Sequence, residues 1–203
     1  MEKSNYDKYP SIAIEGQTCI EGWKNIVAKL EEACKKLNDG KIVIAIECYP
    51  GVYTHEIAEA LFQYIPGAKL LDASTAMKTN DEIGKMVYPF VTDDPVFGYM
   101  TSLNLPDFFD AKKIASMQGK LDTVNEGICI IYGIGASLIA PKPNLLFYAD
   151  MPRWEIQLRF RNKSICNMGA QNQGAEFSYL YKRSFFVDWR VCDRHKKEIM
   201  NRW

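Results

Sequence analysis

The sequence predicts a three-layer α/β fold in which a parallel sheet has helices on both faces. Two segments, 41–48 and 127–139, are nearly continuous apolar runs of the kind found in strands that are covered on both sides. Helical patterns alternate with the predicted strands, which is typical of parallel sheets. At 203 residues the chain suits one domain, 1–203, with a substantial core.

The elements are predicted in the following order along the chain. Strands are expected at 11–16, 41–48, 68–74, 127–139, 144–152 and 182–189. Helices are expected at 26–37, 54–64, 79–88, in short pieces within 93–118, at 153–162, and from 190 to the C terminus. The first of these is expected to stop at "NDG", 38–40. Thr54 is the expected N-cap of the second, and Thr79 and Glu82 have capping-box spacing at the start of the third. The N-terminal part, 1–40, is thus a strand and a helix, and the polar segment 163–177 is predicted to be a mobile loop.

Composition excludes several classes of function. Twenty-five basic residues balance twenty-five acidic ones, so no global field draws the protein to nucleic acid. No apolar run approaches the ~20 residues that span a bilayer, and the first residues lack the apolar region of a secretion signal. Six cysteines without a CxxC pair indicate reduced, partly buried thiols in a cytoplasmic protein. With two histidines, neither a metal site nor a histidine-based triad is expected.

Residues 42–61, "IVIAIECYPGVYTHEIAEAL", have the outline of a phosphate-binding loop: a strand, a turn and a helix. The working motif is G-x-x-x-x-G-K-[ST]. Alignment of the strand ends puts Tyr53 at its last glycine, Thr54 at its lysine and His55 at its hydroxyl residue. Gly51 lies within the loop, and Glu47 is expected to bring a negative charge towards any phosphate. The helix N terminus can still hold an anion, although any βα turn shares this feature.

The motif order resembles the P-loop nucleoside and sugar kinases of the uridine kinase and phosphoribulokinase group. The resemblance covers about residues 41–190 and rests on five segments: "IVIAIECYPGVYTHEI", "AKLLDAS", "TDDPVFGYMTSLNLPDFFD", "GICIIYGIGASLI" and "LLFYADMPRWEIQLRFRN". It implies that Asp72 matches an acidic strand end that serves as base. Asp94-Pro95 matches a D-x-P segment, and Tyr132-Gly133 takes the place of an "EG" pair.

The resemblance also implies a lid helix that contains Arg159 and Arg161. On a helix, two positions separate side chains by about 200°, so the two guanidinium groups are not expected to face one ligand. Glu155 precedes Arg159 by four residues and accounts for it through a surface ion pair. Arg161 is therefore the preferred phosphate ligand. The expected phosphate- or nucleotide-binding residues are Gly51, Val52, Tyr53, Thr54, His55 and Arg161.

A second resemblance, to the N-terminal region of certain bacterial class I mannose-6-phosphate isomerases, rests on four segments, three of which overlap those above. These are "VTDDPVFGYMTSLNLPDFF", "IIYGIGASLI", "DMPRWEIQLRFR" and "YKRSFFVDWRVCDRHK". It implies a kinase-like domain that precedes a C-terminal cupin isomerase domain in a longer parent chain. The helical end "DRHKKEIMNRW" fits such a boundary and also fits a natural end at Trp203. The chain lacks the clustered histidines of an isomerase metal site and is not expected to isomerise alone.

Each candidate side chain also has a structural interpretation. Asp72 is a candidate general base or the cap of the turn that follows it. Asp93 and Asp94 are candidates for binding a sugar hydroxyl, or they begin a helix. Aromatic residues between 88 and 109 are candidates for a substrate pocket, an apolar patch or the core: Tyr88, Phe90, Phe97, Tyr99, Phe108 and Phe109. The expected substrate pocket comprises Asp93, Asp94, Phe97 and Tyr99.

These observations favour a pseudo-kinase module in sugar-phosphate metabolism that binds a small phosphorylated metabolite or nucleotide without turning over ATP. Loss of the lysine, the glycine and the hydroxyl of the loop removes charge neutralisation, close backbone approach and metal binding together. One alternative is an active kinase for nucleosides or sugars that uses Mg-ATP and a migrated lysine, such as Lys78 or Lys85. Another is a structural domain that drives oligomerisation.

Overall fold

A parallel four-stranded sheet forms the centre of the computed structural model, which describes residues 6–7, 10–37 and 40–201. The strand order is β2–β3–β1–β4, and every pair of neighbours is parallel. The strands are β1 (Lys41–Cys48), β2 (Lys69–Asp72), β3 (Gly127–Gly133) and β4 (Leu145–Ala149).

Helices connect the strands and cover both faces of the sheet. They are α1 (Trp23–Lys35), α2 (Thr54–Tyr64), α3 (Asn80–Val91), α4 (Ala111–Asp122), α5 (Ala136–Ile139), α6 (Arg153–Arg161), α7 (Phe177–Arg183) and α8 (Trp189–Met200). Short 3₁₀ helices lie at Ala73–Ala76 and Leu105–Phe108, and one π-helical turn, Ser184–Asp188, joins α7 to α8. No helix in the described part of the chain is long and apolar enough to cross a membrane.

Alternation along β1 divides the core into two layers. Ile44 and Ile46 pack with α1 and α2 on one face, whereas Ala45 packs with α3 to α8 on the other. Ile44 and Ala45 are completely buried, as expected for a central strand with helices on both sides. The three-layer α/β fold that the sequence predicts is therefore confirmed.

Two predicted strands are wrong. Residues 11–16 form no strand, because they remain exposed and pair with no strand in the described structure. Residues 182–189 are helical throughout, in α7, the π-helical turn and the start of α8. The helical repeat becomes visible only over the longer window 180–199. Its buried residues are Leu180, Arg183, Ser184, Val187, Asp188, Val191, Cys192, His195 and Ile199.

Element boundaries shift by a few residues elsewhere. The strand predicted at 127–139 ends at Gly133, where a turn leads into α5. Helix α2 has Tyr53 as its N-cap, so Thr54 is its first helical residue. The predicted capping box of α3 is confirmed, with Thr79 and Glu82 bonded reciprocally. Helix α1 ends at Lys35, before "NDG", of which 38 and 39 lie outside the described residues. Trp203, the expected domain end, also lies outside them.

Candidate functional site

The carboxyl ends of β1, β2 and β3 open into a cleft of about 590 Å³. In parallel α/β sheets this edge is where ligands bind. The cleft is lined by residues 50–55 from the β1–α2 loop, by Asp72 and residues 74–75 and 77–80 after β2, by Lys113, by residues 133–134 after β3, and by 164–171 after α6.

The β1–α2 loop presents the N terminus of α2 to the cleft. No side chain caps this helix at Tyr53, so its first N–H groups, at Thr54 and His55, have no partner within the helix. Gly51 has φ +93°, which glycine adopts readily, and Val52 N–H donates to the Tyr49 carbonyl at 3.2 Å. The loop is thus a tight turn followed by free helical donors.

Helix α6 holds this loop in place. The Arg159 guanidinium donates to the Gly51 carbonyl at 2.8 Å and lies 3.7 Å from the centre of the Tyr53 ring. The Tyr53 hydroxyl in turn donates to Ser164 Oγ at 2.8 Å. A Cβ on Gly51 would lie 2.9 Å from Ile156, which shows how closely α6 approaches. Arg159 therefore braces the loop from the side of the lid helix, beyond the surface ion pair that the sequence predicts.

Glu47 does not bring its charge towards the loop, contrary to the sequence-based expectation. Its side chain is 1 % exposed and accepts hydrogen bonds from the N–H groups of Gly135 and Ser137, at 2.6 and 2.8 Å. His195 Nε2 is 2.8 Å from Ser137 Oγ and 3.5 Å from the Glu47 carboxylate. The positive φ of Gly135, +85°, turns these N–H groups towards β1. Glu47 is thus a buried anchor for the β3–α5 turn.

The loop has no thiolate either. Burial raises the pKa of the Cys48 thiol to about 12, so the group at the end of β1 is neutral at physiological pH. Cys48 is one of six cysteines, all described and all free, and four of them are buried. The burial of these four cysteines agrees with the prediction of partly buried thiols.

Asp72 lines the cleft at the end of β2 and also caps the turn. Its Oδ1 accepts from Ser74 N–H at 2.8 Å, which begins the 3₁₀ helix Ala73–Ala76. The interpretation of Asp72 as the cap of the following turn is therefore confirmed, and its carboxylate also lies at the cleft. Its service as a catalytic base stays a prediction.

Lys78 is the cation best placed for a ligand. It lines the cleft and is half-buried, and its ammonium group has no hydrogen-bond or salt-bridge partner in the described part of the chain. Lys113 also lines the cleft, but its ammonium donates to the Met77 carbonyl at 2.7 Å. Lys85, the other candidate for a migrated lysine, is exposed on α3 and does not line the cleft.

Arg161 does not line the cleft, so the sequence-based choice of Arg161 as the phosphate ligand does not match the structure. Its guanidinium lies 4.1 Å from the centre of the Phe177 ring and 5.9 Å from that of Trp154. Of the two lid-helix arginines, it is thus Arg159 that reaches the loop. Arg159 makes an ion pair with Glu155, 2.9 Å long, and contacts Gly51 at the same time.

The expected substrate-pocket residues do not line the cleft. Asp93 accepts from the Tyr88 hydroxyl at 2.8 Å, and Asp94 accepts from the N–H groups of Val96 and Phe97. These N–H donors hold the pKa of Asp94 below its usual value. Phe97 lines a separate aromatic groove, and Tyr99 is 69 % exposed. Among the other aromatics of this region, Phe108 and Phe109 are core residues.

The structure adds cleft residues that sequence reasoning missed. Ser74, Thr75 and Asn80 follow β2, and residues 164–171 form the opposite wall. The one signal for this opposite wall is the polar composition of 163–177, which by itself predicts only a mobile loop. Asn167 anchors this loop: it is 3 % exposed and donates to the Leu180 carbonyl at 3.0 Å and to Asp188 at 2.8 Å.

The fold resembles that of one protein of known structure. The crystal structure of a protein described as a "putative fructose transport system kinase", from Silicibacter sp. TM1040, superposes with a TM-score of 0.54 at 12 % identity. The match covers 85 % of this chain and 93 % of that one. The chain thus has a P-loop kinase-like fold. No curated protein matches it in sequence, and no comparison supports the resemblance to mannose-6-phosphate isomerases.

The chain belongs to the family described as "Domain of unknown function (DUF8485)", whose model matches residues 22–203. All the cleft residues fall within this matched region.

Proposed function

We propose that this member of the family is a pseudo-kinase that binds a small phosphorylated metabolite or nucleotide in the cleft and does not transfer phosphate from ATP. The observation that carries the proposal is the pairing of a free lysine, Lys78, with the uncapped N terminus of α2 in one cleft. Helix N–H groups and an ammonium group together attract an anion. Hydroxyl and amide side chains on the remaining walls suit the polar part of a phosphorylated metabolite.

The loop itself does not fit Mg-ATP chemistry. Thr54 replaces the lysine that bridges the outer phosphates, and His55 presents an imidazole in place of the hydroxyl that holds Mg²⁺, a cation that prefers oxygen ligands. Tyr53 replaces the glycine at which the backbone approaches phosphate, and its ring is fixed between Arg159 and Ser164. A single phosphate-stabilising group can be worth orders of magnitude in rate, and three such groups are missing here.

A second candidate function is an active phosphotransferase in which Lys78 replaces the missing lysine. Its supporting observation is that Lys78 and Asp72 line the same cleft, with Asp72 placed at a strand end as a general base requires. The acceptor in that case is a sugar or a nucleoside. The Silicibacter protein is described as a "putative fructose transport system kinase", and a sugar acceptor is extended to our chain only as part of this proposal.

Ligand-dependent thermal stability tests the pseudo-kinase proposal. Inorganic phosphate, ADP, ATP and hexose phosphates are added with and without Mg²⁺, and the melting temperature is measured. A ligand present at 100 times its Kd adds about 2.7 kcal/mol to the unfolding free energy, equivalent to about 5–11 °C for a chain of this size. We expect stabilisation by at least one phosphorylated ligand, independent of Mg²⁺.

One variant with a matched control locates the binding. Lys78→Met is expected to weaken binding about tenfold or more, whereas Lys85→Met, on the exposed side of α3, is expected to leave it unchanged. Transfer from ATP to sugars or nucleosides is followed by phosphorus NMR. Product that forms with Mg-ATP and disappears in Asp72→Asn overturns the pseudo-kinase proposal in favour of the kinase. If none of the phosphorylated ligands binds, both proposals are overturned.

Co-purification and activity assays with a cupin isomerase domain test the proposed link to sugar-phosphate isomerisation. We propose that such a domain, if covalently joined in a parent chain, carries the isomerase chemistry while this chain binds the regulatory ligand. A hexose phosphate that binds the cleft and alters isomerase turnover supports this arrangement. Unaltered turnover with the cleft saturated contradicts it.

A further inference from the structure

An apolar N-terminal segment is exposed in the part of the chain that the structure describes. Residues 10–22, which we call the arm, lie before α1 and are all exposed. Ile12 is 89 % exposed and Ile14 is 69 % exposed. The arm contains two glutamates, Glu15 and Glu21, and no lysine or arginine. It is thus an apolar strip with negative charge.

An aromatic groove of about 450 Å³ lies apart from the cleft. Its walls come from the segment after α3 and from α7 with the π-helical turn: Pro95, Val96, Phe97, Phe177, Ser178, Tyr181, Lys182, Phe185 and Phe186. Lys182 turns its ammonium away to the backbone carbonyls of Thr92 and Asp94. The groove floor is therefore apolar, although Phe97 on its rim is 70 % exposed.

Two guanidinium groups flank this groove. Arg161 lies 4.1 Å from the centre of the Phe177 ring, and Arg190 lies 4.9 Å from that of Phe185. Within residues 6–7, 10–37 and 40–201, neither arginine takes part in a salt bridge. The groove thus combines apolar walls with positive charge at its edges, which complements the apolar strip and the glutamates of the arm.

We propose that the groove of one copy receives the arm of a second copy, so that two chains exchange arms in a symmetric dimer. Ile12 and Ile14 fill the aromatic groove, and Glu15 lies against Arg161. Reciprocal exchange buries two such contacts for each dimer, as two-fold symmetry requires. Burial of two isoleucine side chains against aromatic rings supplies the affinity, and the opposite charges set the orientation of the arm.

The position of the arm favours a second copy over the arm's own chain. The arm leads into α1, which packs with α2 on the Ile44 face of the sheet. The groove walls belong to the core layer on the opposite face, where α7 and the π-helical turn pack. An arm that docked in its own groove would have to cross the sheet edge before any of its apolar residues reached the aromatic rings.

Light scattering coupled to size-exclusion chromatography tests the exchange on the full chain. We expect a dimer that weakens at least about tenfold in the double variant Ile12→Ser/Ile14→Ser and in Phe97→Ser. All three side chains are more than two-thirds exposed in the single chain, so these changes leave its fold intact. Phe62→Ser is the matched control, because Phe62 is 80 % exposed on α2, away from the groove. This control is expected to remain a dimer.

A charge exchange identifies the orientation. Arg161→Glu and Glu15→Lys are each expected to weaken the dimer, and the double variant is expected to restore it. A wild-type chain that is monomeric at all concentrations overturns the proposal, whether or not the arm then docks on its own chain. A dimer that is unaffected by changes in the arm and the groove overturns it equally, because another surface then forms the interface.

Discussion

Removal of the Glu47 carboxylate tests whether this residue, at the end of β1, anchors the β3–α5 turn. Glu47 is the last but one residue of β1, where a phosphate-binding loop would open, yet it accepts two backbone N–H groups from the β3–α5 turn. The substitution Glu47→Ala deletes this acceptor and leaves the N–H groups of Gly135 and Ser137 buried without partners. It also removes the anionic neighbour of His195.

The magnitude follows from the two bonds. A hydrogen bond to a charged group contributes about 1.5–3 kcal/mol, so the pair is worth about 3–6 kcal/mol. Removal of a buried charge recovers part of its desolvation cost, which amounts to several kcal/mol for an ion in the interior. We therefore expect Glu47→Ala to lower the unfolding free energy by about 3 kcal/mol. Glu47→Gln retains one acceptor oxygen and is expected to lose about half as much.

Urea unfolding, followed by circular dichroism, measures the loss, and thermal unfolding is expected to show a fall of about 6–12 °C for the alanine variant. Glu59→Ala is the control, since Glu59 is exposed on α2. A loss below about 1 kcal/mol in Glu47→Ala would refute the anchoring role. So would tighter phosphate binding in a folded Glu47→Gln, because that outcome requires the carboxylate to face the cleft.

Three further perturbations test other parts of the structure. Arg159→Met, which loses the bond to the loop carbonyl and the stacking on an aromatic ring, is expected to cost about 1–3 kcal/mol in thermal unfolding. Hydrogen bonds from the α3 N-cap lower the pKa of Glu82, so the contribution of this carboxylate to stability is present above the unfolded-state pKa and is lost as the pH falls through the folded-state pKa. The unfolding free energies of wild type and Glu82→Gln, measured against pH, are therefore expected to converge in acid. Gly135→Ala would place a Cβ 2.2 Å from Phe109 at positive φ and is expected to cost more than about 2 kcal/mol, whereas Gly119→Ala, in open space on α4, should be neutral or stabilising by up to about 1 kcal/mol.

Each of these perturbations has an outcome that contradicts it. Wild-type stability in Arg159→Met would show that the lid helix does not brace the loop. A stability difference between Glu82→Gln and wild type that persists or grows below the folded-state pKa would contradict the capping box. Equal effects in the two glycine variants would mean that the β3–α5 turn does not require the left-handed backbone of Gly135.

The strands and helices of the sheet could be predicted because burial on both sides leaves a continuous apolar pattern. Segments 41–48 and 127–133 contain few polar residues, and their parallel pairing follows from the helices between them. The failures come from short windows. Residues 182–189 contain the short apolar run "FFV", which resembles a strand, and only the buried positions as far as Ile199 show the helical repeat.

The contacts of the site were less predictable than its position. The sequence predicts that the β1–α2 loop and Asp72 lie at one sheet edge, and both line the cleft. It does not predict which lid-helix arginine reaches the loop, because an ion pair with Glu155 explains Arg159 without any tertiary contact. Nor does it show that 163–177 forms a wall, since Asn167 takes its partners from α7 and the π-helical turn.

The fate of Glu47 connects these failures with the proposed function. A charge at the mouth of a phosphate-binding loop opposes an anion only if its carboxylate faces the ligand, and orientation depends on which donors compete for it. The N–H groups of Gly135 and Ser137, which follow β3, bind the carboxylate and hold it in the core. The cleft therefore keeps the free N terminus of α2 and the ammonium of Lys78 without an opposing carboxylate from β1. The sequence that lacks the lysine, the glycine and the hydroxyl of the loop thus keeps two groups that attract an anion, which is the combination that the proposed binding function requires.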